Sequence, residues 1–155
     1  MKPVCMLGLL VLAISSCGGP RAIRQTEVPQ DFELSLERSI CFGRCPAYRL
    51  EVNPEGDVEY EPLRFAPDSS KVPERLTKRQ LKEMVYVLNQ ADLSQYHDSY
   101  DAEVSDLPSV ELYCKLQDLE KQILMRYQTP AKLDTLVLDL EKIIFGRHFI
   151  HNQGG

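Results

Sequence analysis

The sequence has no tryptophan, no low-complexity tract and no internal repeat at the roughly 20–50-residue periods of solenoids and propellers, so repeat architectures are excluded. It also lacks a serine in a nucleophile elbow and a glycine-rich loop that could cradle a phosphate. Paired acids in a cleft cannot be picked out from the pattern either, so no catalytic constellation is identifiable and no enzyme is expected. Positive charge is in deficit: 18 Lys and Arg stand against 23 Asp and Glu, a net charge of −5. That balance argues against nucleic acid or an anionic membrane surface as a partner, because little in it would neutralise a run of phosphates. What remains is 155 residues, 43% hydrophobic and 26% charged, which suits one small globular domain and rules out a multidomain enzyme.

The longest apolar run, Val4 to Ile14, follows a single early charge at Lys2. It is about half the roughly 20 residues a membrane-spanning helix needs, so it reads as a signal peptide and not as an anchor. Directly after it stands Ile14-Ser15-Ser16-Cys17-Gly18, which resembles the lipobox of bacterial lipoproteins. That resemblance implies cleavage after residue 16, lipid attachment at Cys17 through a diacylglycerol thioether, and a further palmitate-like chain on the freed amine. Each acyl methylene buried contributes about 0.8 kcal/mol, so two or three chains hold where one does not. Gly18 stands where an Asp would favour inner-membrane retention in enteric lipoproteins, so the expected address is the outer membrane, facing the periplasm. Residues 17–30 are poor in apolar side chains and read as a flexible tether.

From Asp31 the chain alternates with period two, Phe32, Leu34 and Leu36 on one face and Glu33, Ser35 and Glu37 on the other. Tyr48, Leu50 and Val52 repeat the pattern, Asn53-Pro54-Glu55-Gly56-Asp57 turns the chain, and Val58 and Tyr60 continue it, which predicts a hairpin. Pro62 and Pro67 imply that the third strand ends there or runs along an edge. Thr77 and Gln80 form a capping box with Leu76 and Leu81 as its staple, and a helix follows that buries Leu81, Met84, Val85 and Leu88. After a polar stretch from Asp92 to Pro108, Val110, Leu112, Cys114 and Leu116 alternate, and Ile123 to Tyr127 completes a second hairpin. Thr129-Pro130 then opens a helix with Leu133, Leu136, Val137, Leu140, Ile143 and Ile144 on one stripe. The expected fold is α+β: a two-layer sandwich, an antiparallel sheet of about five strands with two helices on one face, spanning residues 31–148 and followed by a flexible tail, 149–155.

Between the first two strands lies Cys41-Phe42-Gly43-Arg44-Cys45-Pro46-Ala47-Tyr48. An extended chain holds the two cysteine Cα atoms about 13 Å apart, whereas a disulfide needs them within about 7 Å, so closing the ring requires the loop to turn back. Gly43 supplies freedom to do so. In an oxidising compartment the pair is expected to bond, and so small a ring contributes only about 2 kcal/mol.

Cys-x-Gly-x-Cys-Pro-x-Tyr, followed by a strand, an Asx-Pro-x-Gly turn and Val-x-Tyr, resembles the bacterial domain of unknown function 6438. The likeness runs from Asp31 to about Phe145 and takes in Tyr100-Asp101, Asp106-Leu107-Pro108 and Thr129-Pro130. It departs at Gln117-Asp118-Leu119-Glu120, which replaces an Asn-Gly-like turn. Members are mostly lipoproteins or secreted proteins of Bacteroidetes-like bacteria, so the resemblance implies a fold and an address but no activity.

Of the remaining cysteines, Cys5 leaves with the signal peptide and Cys114 reads as a buried thiol. A copper or thiol-redox role for Cys41 and Cys45 has some support, because Cys-x-x-x-Cys-Pro is similar to copper chaperones of the Sco type, which add a distant histidine; His97, His148 and His151 are available. Those proteins start a helix at the motif, whereas here Pro46 leads into a strand, and without a helix N-terminus a reactive thiolate is disfavoured. Asp98, Asp101, Glu103 and Asp106 could suit calcium but lack the spacing and central glycine of an EF-hand loop. No metal or other cofactor is expected. Tyr96, His97, Tyr100, Asp101 and Asp106 are better read as a recognition loop. Two functions follow: a non-catalytic, membrane-anchored binding module whose partner is an envelope protein or a small ligand, or a thiol-redox or copper-handling lipoprotein.

Overall fold

The structure, a computed structural model of the whole chain, describes residues 19–102 and 107–146. The signal peptide 1–16, Cys17, Glu103, Asp106, His148, His151 and the tail 149–155 lie outside the described residues. Six strands form one sheet: β1 Glu33–Arg38, β2 Ala47–Val52, β3 Val58–Arg64, β4 Ser99–Tyr100, β5 Val110–Leu116 and β6 Leu119–Met125, in the order β3-β2-β1-β5-β6-β4. Three helices accompany them, α1 Gly19–Gln25, α2 Lys78–Ala91 and α3 Ala131–Phe145. The fold is α+β, as the periodicity predicts.

The period-two pattern fixes the faces. Leu34 lies opposite both Val52 and Cys114, and Leu36 opposite Leu50 and Leu112, so these side chains share the inner face. Phe32, Leu36, Leu50, Met84, Leu112, Ile123, Leu133 and Leu140 are fully buried in the single core between this face and helices α2 and α3. The outer face carries Glu33, Glu37, Glu51, Glu59, Glu61 and Glu111, with Arg49 bridging Glu37 and Glu61. Exposed bridges of this kind contribute little stability.

The capping box at α2 forms as the sequence predicts: the Gln80 N–H donates to the Thr77 hydroxyl, and Thr77 donates its N–H to Gln80 Oε1. β3 runs through Pro62 to Arg64 as an edge strand, the second of the two outcomes that the prolines allow. Several local expectations need correction. The sheet has six strands and is mixed, because Ser99 and Tyr100 pair in parallel with Leu124 and Met125; two residues are too few to show a period. Thr129 does not cap α3: Pro130 occupies the N-cap position without a side-chain cap, and its carbonyl accepts from the Leu133 and Asp134 N–H groups. β6 begins at Leu119, well before the apolar run, because Leu116 pairs with Leu119 around a two-residue turn in which Gln117 has φ 56°.

The expected tether is also partly folded. Residues 19–25 form α1, which lies against α2, with the Lys82 ammonium donating to the Arg24 carbonyl at 3.0 Å. Pro20 sits in the first turn, where its missing N–H removes no helical bond. Ala22 and Ile23 are half-buried and Val28 packs on the core, so a few apolar side chains suffice to dock a segment that shows no long periodicity.

Candidate functional site

The β1–β2 connection, residues 39–46, is pinned at its base by Ser39, whose N–H donates to the Ser109 carbonyl at 3.0 Å and whose hydroxyl accepts from the Ser109 N–H at 2.8 Å. Cys41 and Cys45 are bonded, with Cα atoms 5.8 Å apart. Gly43 does not use the left-handed region, and a Cβ there would meet only Cys41 Sγ at 3.7 Å. The turn is therefore made without the special freedom expected of that glycine.

In the closed ring Cys41 is buried, Phe42 is 87% exposed and the preceding Ile40 is 55% exposed. The end of β3 adds Phe65, a bulky residue held at φ 50° and 49% exposed. Such a conformation is strained for a side chain of this type and persists only where surrounding structure imposes it. The Arg64 and Arg44 guanidiniums stand 4.9 Å and 5.6 Å from the Phe65 ring centre, and Arg64 also donates to the Cys41 carbonyl at 3.4 Å. The result is a disulfide-closed tip that presents two aromatic rings and two cations to solvent.

Under the tip lies a buried ionic cluster. Arg38 occupies an inward position at the end of β1, opposite Tyr48, and its Nε donates to Glu141 Oε1 at 2.5 Å; the Tyr48 hydroxyl donates to the same oxygen. Glu141 is fully buried and, among the described residues, its Oε2 has no hydrogen-bond partner. Tyr48 packs edge-on against Phe145 at 5.3 Å and tilted against Tyr60 at 5.7 Å. Burial, reinforced by the Glu141 charge, pushes the Tyr48 phenol far above its usual range. The last residue of the cysteine motif, like Arg38, thus joins the sheet to α3. Arg38 and Glu141 escape a reading of the sequence aimed at exposed groups. The available signal is a charge at a core position: Arg38 continues the inward series Phe32, Leu34, Leu36, and Glu141 sits one turn after Val137 on the apolar stripe.

The expected recognition loop lies at the other edge of the sheet. Tyr96 and Tyr100 are half-buried against the core, and the Tyr100 hydroxyl accepts from the His97 N–H at 3.2 Å. Asp101 pairs with Arg126 at 3.1 Å, Asp98 pairs with Lys121 at 2.5 Å, and His97 is exposed. Among the described residues no group of three or more His, Cys, Asp or Glu is placed to hold a metal. Cys114 is buried, and desolvation pushes its thiol up to about 12, so it stays protonated. A shallow groove of about 360 Å³ on the outer sheet face is lined by Glu33, Ser35, Glu51, Glu59 and Tyr113.

A six-stranded α+β sandwich with a disulfide-closed tip defines the class. The model of the domain of unknown function DUF6438 matches residues 32–144, and the chain belongs to that family. No curated protein matches it.

Proposed function

We propose that this protein is a lipid-anchored, non-catalytic interaction module of the cell envelope, held at the outer membrane facing the periplasm through Cys17, which binds an envelope protein through its disulfide-closed tip. The observation that carries the reading is Phe42, a large apolar side chain 87% exposed on a covalently closed ring. A ring that contributes about 2 kcal/mol does little for a domain with its own core. Its larger effect is to order the loop before binding, which removes an entropic cost of association. Aromatic and arginine side chains dominate interface energetics, and the tip concentrates both. Arg44 and Arg64 select a partner surface with acidic residues around an apolar pocket.

Against the thiol-redox or copper alternative, the pair is bonded and Pro46 leads into β2, so no helix N-terminus lies at the sulfurs to stabilise a thiolate. The acidic loop is the lesser binding surface, because Tyr96 and Tyr100 commit their rings to the core.

The test places a photo-crosslinking residue at position 42 in living cells and compares it with one at Lys115, on the outer sheet face. An adduct that forms at position 42, weakens with salt and disappears with Arg44→Glu and Arg64→Glu supports the reading. No adduct at position 42, or one unaffected by those charges, overturns it. Anchoring is tested separately by the acyl mass on Cys17 and its loss in Cys17→Ala.

A further inference from the structure

The outer sheet face and one patch of the helix side differ in charge. The outer sheet face is acidic, whereas the helix side gathers Arg21 and Arg24 on α1 with Lys78, Arg79 and Lys82 on α2. Arg21 and Arg24 are exposed one turn apart. Lys78 and Lys82 follow at a similar spacing on α2, and Lys82 reaches the Arg24 carbonyl, so the two sets adjoin. Glu27, Glu74 and Glu83 are the acids closest to them in the chain. The cations on α2 oppose its macrodipole, since its first turn holds Lys78 and Arg79 and no acid. Local stability is spent on keeping positive charge there.

The docked α1 changes what an anchor at Cys17 would do. A leash of residues 17–30 would let the domain wander, whereas with α1 held on α2 only Gly18 separates the lipid-bearing residue from the folded body. Two residue steps span about 7 Å, less than the roughly 8 Å Debye length at physiological salt, so charges on α1 stand within reach of the headgroups. We propose that the basic face of α1 and the first turns of α2 docks on the anionic phospholipid surface beneath the anchor and turns the acidic sheet face away from the membrane. This rests on lipid attachment at Cys17. The net charge of −5 does not preclude this, because the patch nearest the anchor is cationic. Each cation near an anionic surface contributes about fivefold in affinity.

The full lipoprotein is reconstituted in phosphatidylethanolamine–phosphatidylglycerol vesicles and, separately, in phosphatidylcholine vesicles, and amine acylation is read residue by residue. Lys78 is expected to react severalfold more slowly on the anionic vesicles, with Lys115 on the sheet face unchanged. Arg21→Glu combined with Arg24→Glu is expected to abolish that protection while the protein stays on the membrane. Equal Lys78 reactivity on both vesicles, with the protein still sedimenting with them, overturns the docking and leaves anchoring intact. Protection in native envelopes but not in vesicles overturns it in favour of a protein cover. A chain without acyl mass on Cys17 that does not sediment removes the anchor reading and the docking with it.

Discussion

Tyr48 donates its phenolic proton to Glu141, a residue 93 positions away, inside the core. Arg38 donates to the same oxygen, so one carboxylate on α3 ties together the ends of β1 and β2, from which the disulfide-closed tip departs. The tip is therefore mounted on a rigid base.

Removing Glu141 takes a shared acceptor away from the largely buried Arg38 and the buried Tyr48, and removing a donor strips the buried Glu141 carboxylate of part of its compensation. Glu141→Leu is expected to lower the unfolding free energy by about 3–5 kcal/mol, and Tyr48→Phe by about 1–2 kcal/mol. Arg38→Met added to Glu141→Leu should recover most of the loss, because an apolar pair of similar volume replaces the ion pair. Urea titration of the parent and these variants decides the matter, and a double variant no better than Glu141→Leu alone would remove the ionic account.

The raised Tyr48 phenol sets an alkaline limit. Its folded pKa lies above the unfolded value of about 10, so its contribution is complete below about pH 10. It is lost as pH rises further, because the unfolded chain releases the proton and the native one retains it. Stability should fall above about pH 10 in the parent and less steeply in Tyr48→Phe, as followed by thermal melts across pH. On the acid side, Asp57 and Asp98 are held below the ordinary carboxylate range by their bonds to Arg75 and Lys121. Their contribution is present above the unfolded pKa and fades as pH drops through the depressed folded one, and carboxyl NMR titration should place both midpoints low.

Alkylation of the native, unreduced protein should leave Cys41, Cys45 and Cys114 unmodified, the first two because they are bonded and the third because it is buried and protonated. Denaturant without reductant should expose Cys114 alone. Cys41→Ser with Cys45→Ser should cost no more than about 2 kcal/mol and should speed amide exchange chiefly in residues 39–46. Mass spectrometry of peptides reads the labelling and the exchange, and native labelling at Cys41 or Cys45 would revive the thiol-redox alternative.

Two glycines should respond differently to alanine. Gly56 has φ 84°, and a Cβ there would meet the Leu76 carbonyl oxygen at 3.3 Å and Leu81 Cδ2 at 3.4 Å. Gly56→Ala is expected to cost about 1–3 kcal/mol. Gly43→Ala should lie within about 0.5 kcal/mol of the parent, since Gly43 is exposed and needs no left-handed backbone. Denaturation midpoints of the two variants check this, and a large loss at Gly43→Ala would mean that the ring depends on its glycine after all.

Legibility followed the range of the interaction. The capping box at Thr77 and Gln80, the α2 stripe from Leu81 to Leu88 and the hairpin turn through Asn53-Pro54-Glu55-Gly56 are made by neighbours in the chain and could be read from them. α1 and β4 could not: each is short, and each forms because a surface is waiting, α2 for one and the edge of β6 for the other. The cysteine loop was legible as a ring, but not as one that exposes Phe42 and sets Arg44 over Phe65, which arrives from β3.

The sequence by itself determined the two-layer α+β class, because periods of two and of about 3.6 in apolar residues leave sheet and helices one face each to bury. It also set the cysteine pairing and the family. Only the tertiary structure decided that Arg38 and Glu141 meet, that the cations of α1 and the first turns of α2 adjoin, and that residues 19–25 dock and do not trail. Those outcomes depend on distances between residues far apart in the chain, and no local pattern encodes such distances.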